Sequence, residues 1–436
     1  MNEGTLGLRP LGREETPAAL EALRESICQT LTRGPLPLER VLAACDALSR
    51  ELTDAEYLPA LLTLGLDEGK AREELQEARN MLRREYWETR LRHEFGALPV
   101  GEEHFVPLDA SEPVTQCWQP LGVVLHIAAG NADALPAYSV LEGLMTGNIN
   151  LLKLPGGDYG LSSALLGKLV AIDPLLADYV HVFDVPSQDM GTLKRLADLA
   201  NAIVVWGGDA AVTAARQLAR PDARLIEWGH RVSFAYVSGE VSDEALAGVA
   251  ENICDTEQLY CSSCQGLYVD TDDGEELATF ARRFLAVLDG VSRSRPRALP
   301  PGLQAQKTLE LYTEELEAVA GGKQVLRTDR CSVTVYGDSQ LSAAIGFRNC
   351  WVRPLPRARL LATLLPVANR LQSVALLCPA SERQALEPLL LAAGAVRLSN
   401  GRNLSRTYCG QPHDGEYPLR RLMKRVSLEY GEAEEP

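Results

Sequence analysis

Two cysteines stand three positions apart in Cys261-Ser262-Ser263-Cys264-Gln265, and that spacing admits three chemistries. A zinc site would need two further ligands, and the sequence has no second CxxC and no HxxxH pair. A redox dithiol normally opens a helix of a thioredoxin-like unit, and that context is missing. The third chemistry is a single nucleophilic thiolate, which attacks acyl or carbonyl carbon and works best beside a proton acceptor. Glu227, in Ile226-Glu227-Trp228-Gly229-His230, lies 34 positions before Cys261. Taken alone, it reads equally well as a surface glutamate.

Three more segments place polar or missing side chains where a ligand could approach. Gly130-Asn131 directly follows the apolar run GVVLHIAA, so a short amide there either makes a turn or projects into a crevice. Lys153 ends the run INLLKL, where an ammonium must reach water or an anion. Trp206-Gly207-Gly208-Asp209 follows AIVVW, and its glycines would let a cofactor approach the backbone closely. No GxGxxG follows the first strand and no GxxxxGKS occurs anywhere.

The elements that must position these residues follow from periodicity. Residues 17 to 95 read as helices, with Thr16-Pro17 and Thr53-Asp54-Ala55-Glu56 as start signals and one long charged helix from Asp67 to His93. Residues 96–121 read as an extended hairpin. Between 122 and 231, the runs GVVLHIAA, INLLKL, YVHVF and AIVVW alternate with helical stretches of about twenty residues, as strands buried on both faces do. That pattern predicts a parallel, doubly wound sheet of Rossmann-like type, whose ligands bind beyond the carboxyl ends of the strands. A second α/β domain spans 232–405, with SFAYV, GLYV and SVALL as strands and an amphipathic helix over Glu275–Asp289. Residues 293–302 read as a surface loop. In the tail, 406–436, LRRLMKRV reads as a basic helix with a solvated face.

With 436 residues, 46% of them hydrophobic and 23% charged, the chain has the make-up of a folded protein of two or three domains. Its 43 basic and 59 acidic residues give a net charge of −16, which argues against nucleic acid or an anionic membrane as partner. The longest apolar run, Leu360–Ala368, is about half a membrane span and contains Pro366. The start MNEGTLGLRP shows no secretory signal, and ten scattered cysteines fit a reducing compartment, so the sequence predicts a cytoplasmic protein.

In their order, these segments resemble the aldehyde dehydrogenase superfamily. PLGVVLHIAAGNADALPAYSVLEGLMTGNINLLKLP is similar to its first strand, asparagine and "GN…K-P" stretch, VVWGGD to its "FTGS" turn, IEWGHR to "ELGGK" and EQLYCSSCQ to the cysteine segment. WGG for FTGS, His230 in the GGK segment, CSSCQ, NRLQSVAL and PHDG resemble one branch, the LuxC-type acyl-CoA reductases. The resemblance covers residues 116–426.

It implies an aldehyde-dehydrogenase-like α/β fold, with a cofactor domain, a catalytic domain and an oligomerisation hairpin. Cys261 would be the nucleophile, Asn131 the oxyanion donor, Glu227 the general base and His413 a second acid. Lys153, Gly156, Gly207, Gly208 and Ala129 would contact the cofactor. Gly156 stands where the superfamily has a ribose-binding glutamate, and losing that carboxylate leaves room for a 2′-phosphate, favouring NADPH. A proline commonly follows CSS in the branch, whereas Cys264 stands here. The implied reaction is NADPH-dependent reduction of a long-chain acyl-CoA or acyl-protein thioester to the aldehyde. Oxidation of an aldehyde, or acyl transfer through Cys261 without reduction, would use the same residues. The implied partners are an acyl-protein synthetase or a carrier protein docking on LRRLMKRV, and a second copy in a homodimer or homotetramer, with the hairpin joining a neighbour's sheet. No metal is implied.

Overall fold

The computed structural model describes residues 10–63, 68–97, 102–105, 114–128, 134–156, 160–297 and 299–429. The chain divides into two units. One runs to Gly229 and takes back the segment from Cys409; the other is His230–Tyr408.

The first unit begins with five helices, α1 (Thr16–Thr32), α2 (Leu38–Glu51), α3 (Asp54–Thr63), α4 (Glu68–Leu82) and α5 (Arg84–Phe95). The single helix expected from Asp67 to His93 is therefore two. Arg83 is extended, with φ −61° and ψ 144°, and the Arg84 N–H donates to Asp46 Oδ1 of α2 at 3.2 Å. A side chain from a neighbouring helix thus restarts the helix in a new direction. Strands β1 (Glu102–Phe105) and β2 (Val114–Pro120) pair antiparallel.

The chain then alternates through β3 (Val123–Ile127), α6 (Leu135–Met145), β4 (Ile149–Lys153), α7 (Leu161–Ile172), β5 (Val180–Phe183), α8 (Met190–Leu199), β6 (Ala202–Trp206), α9 (Asp209–Leu218) and β7 (Arg224–Trp228). These strands form a parallel sheet in the order β5-β4-β3-β6-β7. Winding runs outward from β3 one way through β4 and β5, then resumes at β6 on the other side. The switch point lies between β3 and β6, where open sheets of this kind leave a crevice at the carboxyl ends. Val123, Leu125, Ile149, Leu151, Ile203 and Val205 are at most 2% exposed and fill its core.

In the second unit, β8 (Val232–Val237), α10 (Asp243–Thr256), β9 (Cys264–Val269), α11 (Gly274–Ser294), α12 (Pro301–Val319), β10 (Lys323–Arg327), β11 (Ser332–Tyr336), β12 (Asn349–Pro354), α13 (Leu360–Leu364), β13 (Leu371–Leu377), α14 (Ala380–Ala392) and β14 (Arg397–Ser399) follow in order. Their sheet is β10-β11-β12-β9-β8-β13-β14, parallel except for the β10–β11 pair.

The returning tail forms α15 (Pro418–Arg421) and β15 (Met423–Leu428). The basic helix expected over LRRLMKRV is thus one short turn followed by a strand, which pairs antiparallel with β2 from Met423↔Pro120 to Leu428↔Thr115. Unpaired backbone groups of β2 outweigh a helical charge pattern. Some of its residues are also engaged: Arg224 Nη1 donates to the Arg421 and Met423 carbonyls, Arg421 Nη1 meets Glu416 at 2.9 Å, and Arg425 stacks on Trp118 at 5.2 Å, while Lys424 is exposed.

One buried cation ties helices, sheet and tail together. Arg90 of α5, 5% exposed, donates to Glu142 Oε1 of α6 at 2.5 Å, to Glu94 Oε1 at 3.2 Å and to the Tyr138 hydroxyl at 2.6 Å. Glu94 Oε2 in turn accepts the Leu419 N–H at 2.9 Å and the Arg420 N–H at 3.3 Å, at the first turn of α15. Burial pushes the Glu94 carboxyl up, against the pull of Arg90.

Inside the sheet, His126 is fully buried, its Nδ1 2.7 Å from Ser139 Oγ and its Nε2 3.0 Å from Asn150 Oδ1. Desolvation pushes its pKa down to about 4.

Two outcomes follow from these buried groups. Arg90→Met strands two buried carboxylates, and urea unfolding should show a loss of about 3–5 kcal/mol; a loss below about 1 kcal/mol would show that the node is dispensable. For His126, the folded state stays neutral where the unfolded chain, with a pKa of about 6.5, takes up a proton, so its stabilisation is whole above that value and lost as pH falls towards 4. Between pH 7 and 4.5 the wild type should lose about 2–3 kcal/mol more than His126→Gln, which lacks this proton uptake. Parallel pH profiles of the two proteins would contradict it.

Candidate functional site

The carboxyl ends of β3, β4, β6 and β7 gather several of the residues singled out by sequence. Asn131 and Ala129, after β3, lie outside the described residues. Lys153 closes β4, is 4% exposed, and donates from Nζ to Ser187 Oγ at 2.8 Å. Desolvation lowers its pKa, against the nearby Asp184 carboxylate, so the buried ammonium favours an anion or a hydroxyl as its partner. Three residues on, Gly156 is exposed, and a Cβ placed there meets nothing within 4 Å.

After β6, Gly207 donates its N–H to the Trp228 carbonyl at 3.1 Å, and a Cβ at Gly207 would stand 2.9 Å from Ala211 Cβ. Only glycine lets β6 turn this tightly into α9. Gly208 caps α9 in an extended conformation, with open space where its Cβ would be. Bare backbone at a helix start, open space at Gly156 and a lysine at the next strand but one suit a ligand carrying phosphates and a ribose. These residues fit the nucleotide that the sequence implies.

Trp206 and Trp228, paired in register at the ends of β6 and β7, hold their rings 5.4 Å apart. His413 stands against both, 5.1 Å from Trp206 and 4.8 Å from Trp228, with its side chain 40% exposed. It is delivered there by a two-residue turn. His413 and Glu416 exchange backbone hydrogen bonds at 2.8 and 2.9 Å, and Asp414 and Gly415 take φ of 50° and 84°. The Asp-Gly pair is the sequence signature of such a turn.

Glu227 lies on β7 opposite Val205, and its carboxylate is held in a bidentate pair by Arg216 of α9, at 2.5 and 2.6 Å. Both oxygens are committed there, so proton transfer through Glu227 requires that pair to open. Arg216 carried no recognisable motif, and Trp228 was visible only as part of IEWGHR.

In the second unit, Cys261 is exposed on the loop between α10 and β9. The loop's backbone is fixed on several sides. Ser233 Oγ donates to the Cys261 carbonyl at 2.7 Å, Ser405 Oγ to the Ser262 carbonyl at 2.8 Å, and Asn252 Oδ1 accepts the Cys264 N–H at 2.8 Å. Cys264 differs from Cys261 in exposure. It is fully buried at the start of β9, its Sγ donates to the Gly266 carbonyl at 3.3 Å, and burial pushes its pKa up to about 12. The two sulfurs therefore sit in unlike surroundings, and the described residues contain no cluster of three His, Cys, Asp or Glu able to hold a metal.

Just before this loop, Glu257 and Gln258 adopt φ of 47° and 63°, and Phe347 and Arg348 adopt 53° and 68°. Four of the six described non-glycine residues in this conformation thus meet at one place. The Phe347 N–H donates to the Glu257 carbonyl at 3.0 Å, and Arg348 Nη2 donates to Glu257 Oε1 at 2.7 Å in a buried ion pair. Gln258 Nε2 reaches the Cys264 carbonyl at 3.1 Å. Such strain persists only where surrounding contacts over-determine it. Phe347 and Arg348 gave no sequence signal, since their partners are about ninety residues away.

The family described as "Acyl-CoA reductase (LuxC)" matches residues 34–425. A long-chain acyl-protein thioester reductase of Aliivibrio fischeri is 26% identical over 341 residues, covering 74% of this chain and 67% of its own. Among solved structures, a 3,6-anhydro-L-galactose dehydrogenase in complex with NAP aligns with a TM-score of 0.68 at 15% identity, over 95% of this chain and 91% of that one. The bifunctional proline utilization A protein aligns at 0.72 and 16% identity over 98% of this chain, which spans 45% of that longer chain. Those likenesses establish an aldehyde-dehydrogenase-like fold. The chain belongs to the LuxC family of acyl-CoA reductases.

Proposed function

We propose that this protein reduces a long-chain acyl thioester, on coenzyme A or on a protein, to the aldehyde with NADPH, through a thioacyl-enzyme on Cys261. The observation that carries the reading is the contrast between Cys261, exposed on a loop held by Ser233, Asn252 and Ser405, and the buried, inert Cys264. Relatives bearing the name long-chain acyl-protein thioester reductase, and a fold neighbour in complex with NAP, support the substrate and the cofactor class.

The Cys261 thiolate attacks the acyl carbonyl carbon. A new C–S bond forms, the donor's C–S bond breaks, and the donor thiol leaves with a proton. Thiol exchange suits a thioester because reactant and acyl-enzyme have similar energy. The oxyanion of each tetrahedral state is held by the Asn131 amide and the Cys261 N–H, donors worth about 3 kcal/mol each at such sites. NADPH, when bound, supplies the hydride. Lys153, Gly207, Gly208 and Ala129 would hold the nucleotide, and Gly156, where a Cβ would meet nothing within 4 Å, would leave room for a 2′-phosphate. Reduction of the thioacyl carbon would leave a thiohemiacetal on Cys261, whose collapse frees the aldehyde and the Cys261 thiolate.

Proton traffic falls to His413 or Glu227. Glu227 is committed to Arg216, whereas the partly exposed His413 imidazole stands against two indoles beside the Gly207 turn, so His413 is the acid we favour. A cytoplasmic homodimer or homotetramer, supplied by an acyl-protein synthetase or a carrier protein, completes the reading. No helix among the described residues is long and apolar enough to cross a membrane.

Intact mass of wild type and Cys261→Ala, mixed with a fatty acyl-CoA and then NADPH, tests the reading. An acyl adduct should form on wild type only and discharge as aldehyde with NADPH, and the variant's turnover should fall by about a thousandfold or more. An adduct indifferent to NADPH would indicate acyl transfer without reduction. No adduct at all would point to aldehyde oxidation, and an adduct that persists in Cys261→Ala would point to Cys264.

A further inference from the structure

The first unit's sheet contains a line of polar groups that hydrophobic packing does not require. Trp206 Nε1 lies 3.1 Å from Ser139 Oγ, Ser139 Oγ 2.7 Å from His126 Nδ1, and His126 Nε2 3.0 Å from Asn150 Oδ1. Asn150 Nδ2 reaches the carbonyls of Asn148 at 2.7 Å and Tyr179 at 3.2 Å.

Their chemistry fixes every proton. Two carbonyls demand the amide nitrogen of Asn150, so its oxygen faces His126 Nε2, which must then carry hydrogen. His126 Nδ1 is a bare lone pair and takes the Ser139 hydroxyl proton. An indole N–H only donates, so Ser139 Oγ accepts from Trp206. The chain therefore runs one way from Trp206 to the Asn148 and Tyr179 carbonyls, with every donor matched and the imidazole neutral.

The backbone is arranged to allow it. Val124 pairs with Asn150 and His126 with Val204 across the parallel ladder, so His126, Asn150 and Trp206 share one face at the β3–β6 switch point. Ser139 and Gly143 sit one turn apart on α6, and a Cβ at Gly143 would stand 1.7 Å from Asn150 Oδ1. Glycine there is what admits the asparagine.

Apolar residues would fill this interior at no loss of stability, because buried polar groups gain little beyond their desolvation. What they could not do is orient an indole at the partly open end of β6. We propose that His126 and Ser139 are positioning residues for the reductive half-reaction, fixing the Trp206 indole beside the Gly207 turn, where the nucleotide would lie. This rests on the reductase reading above.

The test separates the two halves of that reaction in Ser139→Ala. The Trp206 indole N–H signal of the cofactor-free protein, assigned with Trp206→Phe, should shift in Ser139→Ala and exchange with solvent faster. Acylation by fatty acyl-CoA should stay within about twofold of wild type, while NADPH-dependent discharge slows about tenfold. Unchanged discharge, or equal loss in both halves, would overturn the proposal. If Ser139→Ala does not fold, Trp206→Phe removes the donor at the open end and carries the same comparison. A wild type that acylates but never discharges overturns the reductase reading instead, and the indole signal still decides whether Ser139 holds Trp206.

Discussion

A single buried guanidinium sets the frame on which the first unit is built. Arg90 cannot be left alone in a low-dielectric interior, so it draws Glu94 from its own helix and Glu142 and Tyr138 from α6. Glu94 spends its second oxygen on the first turn of α15, which pins the returning tail against α5. The tail can then add β15 to β2 and, a few residues earlier, present the Asp-Gly turn that carries His413 to the ends of β6 and β7. Without that anchor, a residue more than two hundred positions from Trp206 would have no fixed place beside it.

The two units answer different chemical needs. In the first, glycines at the ends of parallel strands leave backbone open, beside a buried lysine whose ammonium donates to Ser187. In the second, strain and side-chain bonds hold a short loop so that one sulfur faces outward and the other is sealed in a strand. The pairing of Glu227 with Arg216 fits a reductase, which gains nothing from activating water against its own acyl-enzyme.

The sequence revealed what local periodicity and short motifs encode. The apolar runs at 122–129, 149–154, 179–183 and 202–206 each contain a strand, and their alternation with helices implied the parallel sheet. What it could not show depends on distant contacts. The break at Arg83 comes from Asp46 on another helix, and Met423–Leu428 is a strand because β2 offers it partners. The clasp of Glu257 by Arg348, the engagement of Glu227 by Arg216 and the seat of His413 between two indoles join residues with no fixed spacing. His126 read as one more residue of an apolar strand, and only the placement of Ser139 and Asn150 around it gave it meaning.

The most direct measurement is the fate of the hydride. The protein would be given a fatty acyl-CoA and NADPH carrying two deuteriums at C4 of the nicotinamide, and the aldehyde analysed by mass. Reduction of a thioacyl-enzyme predicts one deuterium at the aldehyde carbon, with one aldehyde formed per NADPH oxidised. Aldehyde without deuterium, or loss of the acyl group with no oxidation of NADPH, would contradict it.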